Sequence, residues 1–168
     1  MHPHLPWEDI SVTVDNEDDL DGLKKCGRVV SETLRKMALY MEPGMTTAEL
    51  DAYGRKLLEC EGARSAPEMA YDFPGATCIS VNEVCAHGIP GERVINAGDL
   101  VNIDVSAELD GFVTDTGGSF IVPPVSADIA ALCKTTRIAR DKAIRQVKAG
   151  VKLNIIGKTV EQVARKAG

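Results

Sequence analysis

An Asp110-Gly111 pair in the middle of residues 98–120 constrains the fold of this chain more than any other feature. The segment reads GDLVNIDVSAELDGFVTDTGGSF, with residues of high β-propensity on both sides of the pair. Asp-Gly between two such runs predicts a two-residue loop that joins two antiparallel strands into a hairpin. The loop also fixes the register, because Leu109 must then pair with Phe112.

That register brings two carboxylates to one face of the hairpin. Asp115 lies opposite Ser106, and Asp104 lies opposite Gly117. Cross-strand partners share a face, so Asp104 and Asp115 become diagonal neighbours with Cβ atoms roughly 7–8 Å apart. Carboxylates at that separation can each reach one of two divalent ions that are about 3.5–4 Å apart.

The surroundings of Asp104 bear on whether a metal binds there. Asp104 lies in the apolar run LVNIDV, and no Lys or Arg occurs between Val94 and Cys133. A buried carboxylate without a counter-charge is costly, and a metal ion would provide that charge. The alternative is a solvated polar face on which Asp115 begins an Asp-Thr-Gly turn. The spacing alone leaves both interpretations open.

A second motif, SVNEVCAHGIP, covers residues 80–90. Here His87 lies between a strand-like run and a Gly-Ile-Pro turn, a position from which an imidazole can project into a cleft. A lone histidine is more often structural than functional, so His87 gains weight only from its neighbours.

Helical periodicity flanks the strands. Apolar spacing predicts a helix over residues 17–41, and Thr46 and Glu49 predict a capping box at the start of a second helix that stops at Gly62. A polar, proline-containing stretch follows to Gly75, and no helix or strand is predicted in it. Residues 1–16 show no clear period and are interpreted as an N-terminal extension.

The helical pattern returns after Pro124 as an internal repeat. Residues 133–150 can be laid over 27–44, and 151–168 over 45–62, each position lying 106 residues after its counterpart. The first copy continues into strands, whereas the second reaches Gly168. The repeat therefore predicts a chain that stops within its second unit.

Composition excludes several classes of protein. The formal net charge is −6 and aromatic residues make up 4% of the 168 residues, which argues against nucleic acid and anionic membranes as partners. No apolar stretch approaches the roughly 20 residues of a spanning helix, and the N-terminus lacks the apolar core of a secretory signal. We expect a cytoplasmic protein.

At these residues the sequence resembles the type I methionine aminopeptidases. The segment CISVNEVCAHGIP is similar to the family's Ser-(Val/Ile)-Asn-Glu…His-Gly-Ile-Pro motif, and residues 98–120 resemble its Asn-Ile-Asp-Val…Asp-Gly…Asp-Thr stretch. The resemblance covers residues 18–168. It implies an α+β pita-bread fold with two αβ halves related by a pseudo-twofold axis. The first half would be complete, and the second half present only as its helices, within one catalytic domain over residues 17–168.

The resemblance also assigns roles to individual residues. It implies that Asp104 chelates one metal ion and that Asp115 bridges two, which could be Mn, Fe, Co or Zn. By the same resemblance His87 contacts the scissile region of the substrate as a catalytic residue. A pocket for the methionine side chain would be shaped by three further residues: Tyr71, Phe73 and Cys78.

The implied reaction removes the N-terminal methionine from nascent polypeptides, with the ribosome as a further candidate partner. In the family a histidine and two glutamates from the second half complete the site, and this sequence offers no counterpart of them before Gly168. We therefore expect little peptidase activity from the 168-residue chain alone, together with marginal stability.

Two alternatives remain beside this hypothesis. An aminopeptidase-P or prolidase-like enzyme would share the fold, although the HGIP and NIDVSAELDG segments favour the type I pattern. A non-catalytic binding module made of half the fold would belong to a different class of protein.

Overall fold

The computed structural model describes residues 14–168. It divides into two compact units that meet in sequence at Pro123 and Pro124. The predicted extension over residues 1–16 lies almost wholly outside the described residues, and a single catalytic domain over 17–168 stays a prediction.

Two capped helices open the first unit. α1 (Glu17–Tyr40) begins at Asn16, whose side chain accepts a hydrogen bond from the Asp19 backbone N–H. α2 (Thr47–Cys60) begins at the predicted capping box, with both the Thr46 and Glu49 hydrogen bonds formed. The reciprocal bonds satisfy backbone donors that the first helical turn leaves free. Both predicted helices are confirmed.

Four antiparallel strands follow, namely β1 (Arg64–Ser65), β2 (Cys78–Val81), β3 (Leu100–Leu109) and β4 (Phe112–Ile121). β3 pairs with β4 along its whole length. The same strand pairs with β1 near its end and with β2 near its start. β3 is thus the central strand of the sheet, and each of the other three strands pairs with it.

Alternation along β3 separates an apolar face from a polar one. Val101, Ile103 and Val105 are fully buried, and the intervening residues of β3 point to the opposite face. α1 covers the apolar face, where the Cys26 thiol donates to the Ala107 carbonyl at 3.3 Å. The polar face carries the chemistry described below.

The stretch before Gly75, in which the sequence predicts no helix or strand, contains two short elements. Besides β1, the chain forms α3 (Ala66–Tyr71), which Ser65 caps and which ends at Asp72 in the left-handed region. Six residues are too few to show helical periodicity, so the spacing of apolar residues does not predict this helix. The local signal is Ser65 followed three residues later by Glu68, a capping pattern with proline in the first turn.

The second unit consists of two helices, α4 (Ala127–Ile144) and α5 (Asn154–Ala167). α5 begins and ends one residue later than the 106-residue offset from α2 predicts, so this helix agrees with the internal repeat. Cys133, Ala139 and Ala143 are buried on α4. No helix in residues 14–168 is both long and apolar enough to cross a membrane.

Candidate metal centre

The hairpin places Asp104 and Asp115 on one face, as its sequence predicts. Asp104 pairs with Gly117 and Ser106 pairs with Asp115. The reversal is a type I′ turn, since Asp110 and Gly111 both have positive φ, at 54° and 89°. The predicted register is confirmed at every pair of the hairpin.

Gly117 leaves room for the Asp104 carboxylate. A Cβ at position 117 would lie 3.0 Å from the Asp104 Oδ1 atom. The Asp104 side chain therefore extends over its cross-strand neighbour. A larger residue at 117 would have to displace it.

The two carboxyl groups interact strongly. Burial raises the pKa of Asp104 above its ordinary value, and the charge of Asp115 and a hydrogen bond between the two side chains raise it further. The charge of His87 acts in the opposite direction and lowers it. Like-charged groups held this close favour keeping one proton between them unless a cation neutralises the pair.

The donor set fits a divalent cation in part. Paired carboxylates are the hard oxygen ligands that such ions accept, and neither Asp104 nor Asp115 forms an ion pair with a Lys or Arg in residues 14–168. Within the described residues, however, no group of three or more His, Cys, Asp and Glu side chains could hold a metal ion. The described residues therefore offer two carboxylate ligands, which is only part of a coordination sphere.

Cys78 lies next to this pair. It is the partner of Asp104 across the β2–β3 ladder and is 7% exposed. Burial raises the pKa of the Cys78 thiol, and the charges of Asp104 and Asp115 add to the effect. The thiol is therefore held in its neutral, weakly polar form beside the carboxylates.

Two aromatic residues, Tyr71 and Phe73, lie at the end of α3 and just after it. The Tyr71 ring meets the Phe73 ring edge-on at a centroid distance of 6.4 Å. Burial and then the charges of Cys78, Asp104 and Asp115 raise the pKa of Tyr71. Tyr71 is still 65% exposed, so this apolar patch remains open to solvent.

His87 belongs to the segment between β2 and β3, which we call the histidine loop (residues 82–90). The loop begins at Asn82. The Asn82 side-chain amide donates to the Asp99 carboxylate through its Nδ2, and its Oδ1 accepts from the Leu100 backbone N–H. His87 itself is exposed and lies in the left-handed region at φ 54°. The loop is hydrogen-bonded to β2 through Gly88, and β2 pairs with β3 at Asp104, so the histidine loop lies along the strand next to the carboxylates.

Asp99, a residue that the sequence reasoning passed over, anchors the start of β3. Burial raises the pKa of Asp99, but hydrogen bonds from the Asn96 backbone and the Asn82 side chain, aided by the charge of Arg93, outweigh it and lower the pKa overall. A second such residue is Asp51 of α2, which is 7% exposed and accepts three hydrogen bonds from Ala76 and Thr77. Asp51 thereby fixes the start of β2. A polar residue at a helix position otherwise expected to be apolar is the signal that could have revealed it.

A model of metallopeptidase family M24 matches residues 21–168. The chain belongs to this family. It is 48% identical over 156 residues to methionine aminopeptidase 2 of Bacillus subtilis, covering 92% of this chain and 63% of that relative. It is also 33% identical to the human mitochondrial methionine aminopeptidase 1D, covering 96% of this chain and 48% of the relative.

Solved structures agree with the family. The methionine aminopeptidase of Rickettsia prowazekii superposes with a TM-score of 0.88 at 32% identity, covering 93% of this chain and 63% of that one. The X-Pro aminopeptidase of Thermotoga maritima superposes with a TM-score of 0.79 at 19% identity, which shows the fold alone. The predicted α+β pita-bread fold is confirmed for the part of these proteins that the chain spans, which is less than two thirds of their length.

Proposed function

We propose that this chain forms the aspartate-bearing part of a methionine aminopeptidase. The observation that carries the proposal is the pair Asp104 and Asp115, held on one open face without an ion pair to any Lys or Arg of residues 14–168. The 48% identity to a protein named methionine aminopeptidase 2 supports the choice of reaction. The substrates would be nascent polypeptides with a free N-terminal methionine, in the cytoplasm, where the ribosome is a candidate partner.

In this proposal Asp104 and Asp115 hold two divalent ions, and their identity among Mn, Fe, Co and Zn is left open. When bound, such a pair supplies a hydroxide nucleophile and polarises the scissile carbonyl. Burial, then the charge of Asp115 and a hydrogen bond between the two side chains, raise the pKa of Asp104, and bound cations would offset the repulsion between the two carboxyl groups.

The other residues would bind and orient the peptide. Tyr71, Phe73 and Cys78 present two aromatic rings and a neutral thiol, surfaces that suit the unbranched, polarisable methionine side chain. His87 is exposed, and in this proposal its imidazole N–H donates a hydrogen bond to the scissile peptide group. That bond would strengthen as negative charge develops on the carbonyl oxygen.

A metal titration of the 168-residue chain tests the aspartates directly. Manganese binding, followed by electron paramagnetic resonance, should be measurable and weak, because only two carboxylates contribute. Asp104→Asn and Asp115→Asn should each abolish it. Asp72→Asn is the matched control, since Asp72 is exposed and its left-handed backbone accepts asparagine equally well. Binding that survives both aspartate variants would refute the proposed ligands.

A chimera tests the reaction. Residues of this chain replace the matched segment of the Bacillus subtilis relative, and hydrolysis of Met-Ala-Ser is measured beside that of a peptide with proline in second position. We expect cleavage of Met-Ala-Ser that is lost with Asp115→Asn. Preference for the proline peptide would favour an aminopeptidase-P-like enzyme, and a folded, metal-binding but inactive chimera would favour a binding module.

A further inference from the structure

The position of His87 depends on its backbone. None of the hydrogen bonds or ion pairs of residues 14–168 involves the His87 side chain, and the residue is exposed. Its φ of 54° lies in a region that costs a non-glycine residue free energy and persists only where surrounding contacts impose it. The contacts that impose it must come from its neighbours in the chain.

Gly88 provides those contacts by lying directly against β2. Its carbonyl accepts a hydrogen bond from the Ile79 N–H at 2.9 Å. Its own N–H donates to the Ser80 hydroxyl at 3.0 Å. A Cβ at position 88 would lie 2.2 Å from the Ile79 carbonyl oxygen, so the approach is close enough to require glycine. The residue next to His87 is thus pressed onto the strand.

Ser80 is the side-chain half of this contact. It is 2% exposed and is paired with Asn102 across the β2–β3 ladder. Along β2 it lies two residues from Cys78, and its partner Asn102 lies two residues from Asp104. Ser80 therefore ties the histidine loop to the same polar face that carries the carboxylates.

We propose that Ser80 is a positioning residue that holds His87 beside the sheet face that carries the carboxylates, by fixing the Gly88 N–H. The inference rests on the proposed function for its catalytic consequence, but not for its structural part. The competing explanation is that Ser80 merely satisfies a buried backbone donor and has no bearing on the imidazole.

The structural part is tested on the 168-residue chain without metal. In the parent chain the Gly88 amide should exchange slowly with solvent deuterium, and the His87 imidazole C–H signal should be resolved from those of the other two histidines. His87→Gln identifies that signal. Ser80→Ala should abolish the protection of Gly88 and move the His87 signal toward that of an unstructured histidine. Ser80→Thr, which keeps a hydroxyl in the strand, should restore both.

Ser119→Ala is the matched control. Ser119 lies in the same row of the sheet and accepts a hydrogen bond from the Asn102 amide at 3.0 Å, but among the described residues no hydrogen bond joins it to the histidine loop. The control should leave Gly88 and His87 unchanged. If Ser80→Ala does not fold, Ser80→Cys keeps the volume and weakens the acceptor, and the same two signals are measured.

The catalytic part is tested in the chimera by a double-mutant cycle with His87→Ala. Ser80→Ala should lower kcat about tenfold or more with little change in KM, because small displacements of a catalytic group are expensive. In the His87→Ala background the same change should have no further effect. Additive losses, or unchanged Gly88 protection in Ser80→Ala, would overturn the proposal. An inactive parent chimera would contradict the proposed function, while the exchange experiment would still decide whether Ser80 holds the loop.

Discussion

The hairpin and the histidine loop flank the same candidate site, but they are held in different ways. The hairpin's ten cross-strand pairs follow from a two-residue turn within its own sequence. The histidine loop instead depends on residues elsewhere in the chain, at Ser80, Asp99 and Leu100. Substitutions outside the histidine loop should therefore destabilise the loop more than substitutions in the turn destabilise the hairpin.

Asp51→Ala should lower the stability most, because it loosens the start of β2, the strand against which the histidine loop lies. Asp51 accepts from the Thr77 N–H at 2.8 Å, the Thr77 hydroxyl at 2.7 Å and the Ala76 N–H at 3.2 Å. Removing the carboxylate leaves buried donors unpaired just before β2, so the free energy of unfolding should fall by about 3 kcal/mol or more. Urea denaturation measures it. Glu59→Ala, which removes an exposed carboxylate from the same helix, is the control. Equal losses of unfolding free energy in the two variants would contradict the role of Asp51 in holding the start of β2.

Gly88→Ala should come next. The new methyl group would meet the Ile79 carbonyl, so the loop must move away from β2 at a cost of about 2 kcal/mol. Gly91→Ala is matched to it, because a Cβ there meets nothing within 4 Å. Thermal unfolding of both variants gives the comparison, and a Gly88→Ala chain as stable as Gly91→Ala would show that the loop is not pressed onto the strand.

Gly111→Ala tests the hairpin. Position 111 is open, so the cost arises from the positive φ alone and should be about 1 kcal/mol. The register should survive, with Asp104 and Asp115 still on one face. Gly27→Ala in α1, also open, should change stability in the opposite direction. A change of the β3–β4 register in the Gly111→Ala variant, detected by amide exchange, would contradict the expected survival of that register.

Lys25→Ala should have the smallest effect. The Lys25 ammonium lies 2.7 Å from the Asp110 carboxylate and links α1 to the hairpin tip, but both side chains are more than half exposed. Solvent screening limits such a pair to about 0.5 kcal/mol. A loss that exceeds that of Gly111→Ala, or that persists in 1 M salt, would show that α1 rather than the turn sets the tip.

The same comparison explains what the sequence could predict. The register that joins Asp104 and Asp115 was predictable, because the signal lies within a few residues of the turn. Ser80 and Asp51 were not recognised as anchors, since their partners are brought close only by the folded chain. α3 was missed because six residues carry no usable period, although Ser65 and Glu68 marked its start. The roles assigned to Asp104, Asp115 and His87 remain predictions until the metal and activity experiments are done.

The crowded pair of aspartates also bears on how such a chain can change over generations. Because folding raises the pKa of Asp104, this group makes the metal-free fold less stable as the pH rises from the unfolded pKa through the folded one. An asparagine at either position would relieve the repulsion without disturbing the ladder. In a lineage that no longer needed a metal, replacement of one aspartate would therefore improve stability, so the site would be lost sooner than the fold that carries it.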